Sequence, residues 1–364
     1  MKKTLLSTAV LALMAGAAHA DSSVTLYGII DTGIGYQRVK GLDTQLSKFG
    51  MASGVSSGSR WGLRGAEDLG DGLSAVFVLE SGFNSLNGVS AQGNRLFGRQ
   101  ATVGLKSNAW GQIDFGRQTN IASKFLSAID PFGAGYGQAN FGHLFSAANT
   151  VRYDNMIMYQ TPSFSGFQAG VGYSFSIDNV APGGGYPTAD NPRAITAGVR
   201  YVNGPLNVAL SYDRLKPGHD NPANGINPSS WILGGSYDFE VVKLALAYGQ
   251  TRDGWFQGQN ISPFSGGGLQ PLDYQSFRVY EDQKVQSTLV GLSAPIGGAS
   301  TIMTSWQHGR MTDMDTKTNV FSVGYTYDLS KRTNFYAVAS YTKNFAFKDD
   351  VTSSVGLVGV RHRF

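Results

Sequence analysis

Apolar and polar residues alternate along the chain from about residue 23 onward, in segments that recur roughly every twenty residues. A period of two is typical of β-strands with one apolar and one polar face. A tilted strand needs about ten residues to cross a bilayer, which is close to the length of these segments. Sixteen can be counted, at residues 23–36, 59–67, 73–84, 95–106, 110–117, 151–161, 166–176, 193–203, 205–216, 229–238, 241–252, 284–294, 299–310, 318–328, 332–343 and 353–364.

The connections between these segments alternate in length. Short ones fall at residues 68–72, 107–109, 162–165, 203–205, 238–240, 295–298 and 328–331. Long ones fall between them, at 37–58, 85–94, 118–150, 177–192, 217–228, 253–283, 311–317 and 344–352. A barrel of hairpins that crosses a bilayer keeps short turns on the periplasmic side and long loops outside, whereas a soluble sandwich has no reason to keep that parity. We therefore predict an all-β fold, a 16-stranded antiparallel transmembrane β-barrel.

Strand parity also predicts which side chains face lipid. In segment 59–67, Trp61 and Leu63 form the apolar face, so that Arg60 and Arg64 point into the lumen. Charge is thereby kept out of lipid, where an Arg or Lys at the bilayer midplane costs about 2–4 kcal/mol. The same alternation in the last segment puts Phe364 on the lipid side, where an aromatic residue suits the bilayer interface.

The first twenty residues read as a secretory signal peptide. Lys2 and Lys3 precede the apolar run Leu5–Ala18, and Ala18-His19-Ala20 is a small-x-small cleavage site. The run is too short for a membrane-spanning helix, which needs roughly 20 apolar residues. We expect a signal peptide over residues 1–20 and one undivided barrel domain over residues 21–364.

Composition narrows the function. Without the leader the chain has 27 basic and 25 acidic residues, a balance that gives no support to nucleic-acid binding. The chain has no cysteine, so thiolate metal sites are excluded and no disulfide contributes to stability. No segment after the leader is long and apolar enough for a transmembrane helix. We expect no cofactor and no metal.

The chain resembles the Gram-negative general porins. The resemblance is carried by Ser23–Gly28 at the start, by Ser59–Gly70, and by the ending Gly359–Phe364. It continues in Phe97-Gly98-Arg99-Gln100 and Phe115-Gly116-Arg117-Gln118. It implies a usually trimeric, water-filled barrel in the outer membrane of a Gram-negative bacterium, in contact with its lipid and lipopolysaccharide. The implied function is passive diffusion of small hydrophilic solutes and ions, and Phe364 looks like the signal read by the barrel assembly machinery.

In such porins the third long loop folds into the barrel and faces basic residues on the wall. The loop at residues 118–150 occupies that place, and a loop this long without regular structure is usually functional. The resemblance places the wall cluster at Arg60, Arg99 and Arg152, with Arg64 and Arg117 as further candidates.

Asp130 is the single carboxylate between residues 118 and 150, and we expect it to face the arginines. Several arginines against one acid give a positive constriction, which favours anions. Strict parity would turn Arg99 toward lipid, so a bulge or a strand end must intervene there. Each arginine also has a second interpretation, as a structural partner of a lumen carboxylate such as Glu80 or Asp114.

Two other functions are compatible with parts of the sequence. The long loops 253–283 and 37–58 would suit a surface adhesin or receptor whose barrel is occluded, which conductance would distinguish from an open channel. Gly54–Gly58 matches the G-x-S-x-G motif of hydrolases, but that motif requires a strand-to-helix elbow and here it precedes a strand. The mature histidines are scattered without ligand spacing. We therefore expect no catalytic residues.

Overall fold

A computed structural model describes residues 23–42, 46–177, 191–219, 223, 225–256, 258–264 and 278–364. The predicted leader lies outside these residues. The described strands form one antiparallel sheet that closes where β1 pairs with β17. They are β1 (Ser23–Lys40), β2 (Leu46–Ser53), β3 (Arg60–Gly70), β4 (Leu73–Gly82), β5 (Gln100–Ser107), β6 (Gly111–Thr119), β7 (Arg152–Gln160), β8 (Phe167–Ser174), β9 (Arg193–Asn203), β10 (Leu206–Lys216), β11 (Ser229–Asp238), β12 (Lys243–Trp255), β13 (Arg278–Ile296), β14 (Ser300–Met311), β15 (Thr316–Asp328), β16 (Thr333–Lys343) and β17 (Thr352–Arg363).

Within the described residues, helical structure is confined to short turns in the connections. They are the helices Ala91–Asn94 and Ile121–Leu126 and the 3₁₀ turns Gly137–Ala139, Phe141–His143, Ser146–Ala148 and Phe345–Phe347. Within the described ranges, no helix is both long and apolar enough to cross a membrane.

β2 and β3 together make one crossing of the barrel, because both pair with β1. The first half of β1 pairs with β3 and the second half with β2. The break between them is held by the buried carboxylate of Asp31, which accepts the backbone N–H groups of Val55 at 3.2 Å and Ser57 at 2.7 Å. Counting β2 and β3 as one gives the 16 strands that parity predicted. The prediction of a loop over residues 37–58 is wrong for most of its length, since β1 runs on to Lys40 and β2 begins at Leu46.

The outward face is apolar, as predicted. Val103, Val199 and Val358 are each more than half exposed on it. Phe364 is on the same face and closes the barrel, because its backbone exchanges two hydrogen bonds of 3.1 Å with Gly28. The strand bounds confirm most of the alternation of connections, with short turns at 71–72, 108–110, 161–166, 204–205, 239–242, 297–299 and 329–332. The connection between β14 and β15, which was predicted to be long, is instead a short turn at 312–315.

The connection from residue 120 to residue 151, here called the inner loop, fills much of the lumen. Its apolar side chains, Phe125, Phe141 and Phe145 among them, are fully buried. They pack against lumen-facing glycines of the wall, since a Cβ built on Gly291 would lie 2.4 Å from Pro131 Cγ. The same holds for Gly170, Gly198, Gly234, Gly249 and Gly324, each of which has an inner-loop side-chain atom within 3.4 Å of a built Cβ. The expectation of an inward-folded third loop is therefore met.

Candidate functional site

The inner loop begins at a helix that is anchored to the barrel wall. Asn120 caps the helix Ile121–Leu126 by accepting the backbone N–H of Ser123 at 3.1 Å. The Nδ2 of Asn120 also donates to Asp213 Oδ1 on β10, at 2.8 Å. The N–H of Ile121 donates to Thr196 Oγ1 on β9, at 2.9 Å. The N–H of Ile121, which has no partner within the helix, thus helps to fix the loop to the wall.

Beyond the helix the loop reaches the opposite strands. Ser287 of β13 donates to the carbonyl of Leu144 at 2.9 Å, and Gln307 of β14 donates to that of Ala139 at 3.1 Å. The backbone N–H of Tyr136 donates to the carbonyl of Val55, in the break between β2 and β3, at 2.6 Å. Residues 134–137 are thereby held as an edge of the inner loop inside the barrel.

Asp130 does not face the wall arginines, which corrects the expectation drawn from the sequence. Its carboxylate accepts three backbone N–H groups of its own loop, from Phe132 at 3.1 Å, Ala134 at 2.9 Å and Phe141 at 3.2 Å. Burial raises the pKa of Asp130 to about 6. The physical reason is local: the tight turn that follows Asp130 leaves amides without partners, and the carboxylate satisfies them.

Beside the edge 134–137 lies a cavity of about 600 Å³ whose opposite wall is basic. Arg95, Arg99, Arg117 and Arg152 line it. Together with Arg60, which approaches the same carboxylate as Arg99, they are called here the arginine wall. Among the described residues that line the cavity, none is an aspartate or glutamate.

Two carboxylates on the barrel strands hold four of these five arginines in place. Glu80 on β4 lies 2.6 Å from Arg99 Nε and 3.9 Å from Arg60 Nη1. Asp154 on β7 pairs with Arg95 Nη2 at 3.0 Å and with Arg117. The second interpretation of Arg60 and Arg99, as partners of Glu80, is therefore confirmed.

Arg152 makes no ion pair within the described part of the chain. Its Nε donates to the carbonyl of Arg99 at 3.0 Å and its Nη1 to that of Thr150 at 3.3 Å. Five arginines against two carboxylates leave three positive charges in excess in this cluster. A guanidinium whose hydrogen bonds go to carbonyl oxygens, with no carboxylate beside it, keeps its full charge toward the cavity.

Three further positions depend on details of the strands. Arg99 lies in a bend just before β5, so a strand end resolves the conflict with parity. Arg117 lies in a β-bulge between Gly116 and Gln118, which turns its side chain into the lumen. Arg64 is exposed, stacks over the ring of Tyr27 at 5.3 Å and does not reach the cavity.

Two of the contributors to this site were missed from the sequence. Arg95 stood at the start of a predicted segment, where parity is ambiguous. The stretch at 258–263, which also lines the cavity, lay inside a predicted external loop and shows no alternation.

The hydrolase motif has a structural role. Ser56 lies in the break between β2 and β3, and its Oγ is 3.2 Å from Arg361 Nη1. The motif connects two strands, so the strand-to-helix elbow that a nucleophilic serine requires is not formed here. Across the described ranges, no group of three or more histidine or acidic residues could hold a metal ion.

Comparison with known proteins places this geometry in a family context. A sequence model described as Gram-negative porin matches residues 7–346. The chain is 60% identical to an outer membrane porin protein of Bordetella pertussis, with 100% of both chains covered. It is 35% identical to outer membrane porin protein 32 of Delftia acidovorans, over 99% of this chain and 94% of that one. Among solved structures, the anion-selective porin from Comamonas acidovorans aligns with a TM-score of 0.74 and 31% identity, covering 94% of this chain and 100% of that one.

Proposed function

Since the chain belongs to the Gram-negative porin family and is a general diffusion porin of the outer membrane, we propose that its channel prefers small anions to cations. The observation that supports this most directly is the composition of the cavity wall. Four arginines line the cavity, and no acidic side chain does so among the described residues. Narrow walls of low dielectric constant strengthen the effect of this excess positive charge on passing ions.

The roles of the arginines differ. Arg152 has no carboxylate partner within the described residues and contributes the largest share of uncompensated charge. Arg99 and Arg117 are each paired with an acid, so they contribute mainly shape and hydrogen-bond donors. Arg60 stabilises the position of Glu80 behind them. The related porin from Comamonas acidovorans is described as anion-selective, which agrees with this assignment.

The reversal potential in a KCl gradient across a planar bilayer tests the proposal. The wild-type channel is expected to show a potential of the sign set by chloride, and Arg152→Gln to move it toward zero. Arg310→Gln is the matched control, because Arg310 pairs with Asp315 at an exposed site outside the cavity. A cation-selective wild-type channel would refute the anion preference.

We also propose that three copies assemble in the membrane, in contact with outer-membrane lipid and lipopolysaccharide. The barrel assembly machinery would read Phe364, and the protein would carry no catalytic site. Current steps that occur in groups of three would support the trimer.

The alternative role, as an adhesin or receptor with an occluded lumen, predicts purified protein without conductance. The cavity beside the arginine wall favours the open channel.

A further inference from the structure

A second stretch of chain enters the barrel, from the connection that follows β12. The pairing of β12 with β13 shifts register between Arg252 and Gly254. Gly254 has φ of 152°, and a Cβ built there would lie 2.0 Å from the carbonyl oxygen of Arg278. Only glycine fits this bulge. Past it, Phe256 is completely buried. Residues 256 and 258–264 are called here the second inner segment.

The second inner segment is joined to the inner loop by a reciprocal contact. The N–H of Gln259 donates to the carbonyl of Asn149 at 3.0 Å, and Asn149 Nδ2 donates back to the carbonyl of Gln259 at 2.9 Å. The side-chain amide of Gln259 donates to the carbonyl of Ala134, at one end of the edge 134–137. Gly258 leaves no gap, since a Cβ built on it would lie 2.5 Å from Asn149 Cβ.

Its other end is fixed to the barrel. Ser262 Oγ donates to Gln37 Oε1 on β1 at 2.8 Å. The ring of Phe264 lies under the Lys48 ammonium of β2, 5.2 Å from its centre. Ile261 is 1% exposed. Because the second inner segment is held at both of its described ends, it behaves as part of the barrel interior.

The second inner segment also forms part of the cavity surface. Gly258, Gln259, Asn260, Ser262 and Pro263 line the same cavity as the arginine wall. All five are uncharged, so this side of the passage neither adds to nor offsets the positive charge of the arginines.

We propose that the second inner segment is a second selectivity element of this channel, in which Gln259 both lines the passage and positions the edge 134–137. The inference rests on the proposed function only in requiring that the protein conducts ions. Because the second inner segment is uncharged, the arginines set the charge preference. The contacts of Gln259 with Ala134 and Asn149 fix the width between the edge 134–137 and the arginine wall. A charge introduced at Gln259 should therefore change ion selectivity.

Gln259→Glu tests the lining role. The permeability ratio of anions to cations is expected to fall by roughly tenfold at low salt, near the lower end of what charge in a narrow cleft contributes. The effect should weaken as salt is raised. Asn87→Asp is the matched control, because Asn87 is exposed in the connection between β4 and β5. It adds the same charge outside the cavity and should leave the ratio unchanged.

A second measurement separates a lining role from a folding defect. The chain has no cysteine, so Gln259→Cys supplies one thiol. A negatively charged methanethiosulfonate reagent, added to channels that already conduct, should lower the open-channel current. Asn87→Cys should not respond. Each channel is compared with itself, so folding does not enter.

The two proposals fail in different ways. If Gln259→Glu keeps the wild-type permeability ratio and the reagent leaves the current of Gln259→Cys unchanged, the second inner segment does not line the passage. The anion preference of the wild-type channel would stand unaffected. If instead the wild type prefers cations while both Gln259 variants respond, the anion preference fails and the role of the second inner segment holds.

Discussion

The inner loop buries two titratable side chains whose pKa values move in opposite directions. Asp130 is 5% exposed, and burial raises its pKa to about 6 although three amides favour the charged form. His143 is completely buried, and burial lowers its pKa to about 4 although its Nδ1 lies 3.0 Å from the carbonyl of Gln138. Both groups are therefore neutral in the folded loop near pH 5.

The two shifts give stability terms of opposite sign. The carboxyl of Asp130 has a pKa of 3.8 in the unfolded chain and about 6 in the folded chain. Between these two pH values the folded chain binds more protons, so the free energy of unfolding falls as pH rises. The unfolded chain protonates His143 below 6.5, so stability rises with pH between about 4 and 6.5. Each shift is worth about 3 kcal/mol. In the wild type the two terms nearly cancel.

Single substitutions should therefore reveal a pH dependence that the wild type conceals. Asp130→Asn leaves only the contribution of His143, so the free energy of loop opening is expected to rise by roughly 3 kcal/mol between pH 4 and pH 6.5. His143→Gln leaves the carboxylate term, and its loop should lose a similar amount. The double variant should show the same pH dependence as the wild type.

Hydrogen exchange in detergent measures these terms directly. The amides of Phe132, Ala134 and Phe141, which bond to Asp130, report the free energy of loop opening once the intrinsic pH dependence of exchange is removed. Amides in the ladder between β14 and β15 serve as the internal control. Slopes of the same sign in the two single variants would show that the reasoning is wrong.

Three further changes have definite expected outcomes. Gly291→Val should push the inner loop from the wall and change single-channel conductance, whereas Gly298→Val, with open space around it, should not. Glu80→Gln removes the acid beside Arg99 and should raise the anion-to-cation permeability ratio, which reversal potentials would show. Phe364→Ala should lower the yield of heat-modifiable, folded barrel in outer membranes more than Phe335→Ala, since both rings are exposed on the outward face but only one is terminal.

The barrel could be predicted because its physical constraint acts on every strand. Each crossing must turn apolar side chains outward and polar ones inward, so the period of two persists even where hydrophobicity is low. The constraint is weaker toward the ends of the strands, where β1 continues past Tyr36 and β2 alternates Lys48 with Gly50. Strand and loop have similar composition there, which is why residues 37–58 were assigned to a loop.

The site was predictable only where it depends on strand parity or on the resemblance. Arg152 was predicted from the resemblance, and its side chain lines the cavity. Asp130 was misplaced because the sequence shows a charge but not whether the loop's own amides surround it. Gln259 could not be found, since its partner Asn149 lies 110 residues away and no local pattern reports such a contact.

The position of the channel inside the barrel follows from a division of residue types on the lumen face. Glycines on β8 to β15 leave room for the apolar side chains of the inner loop, which therefore lies against that half of the wall. The other part of the wall carries the arginines, on β3, β6 and β7 and in the connection before β5. Burying these long charged side chains under an apolar loop would cost them their hydration. The loop is thus excluded from the arginine wall by desolvation and drawn to the glycines by packing. The remaining cavity must open beside the arginines, so its location and its positive charge have one common cause.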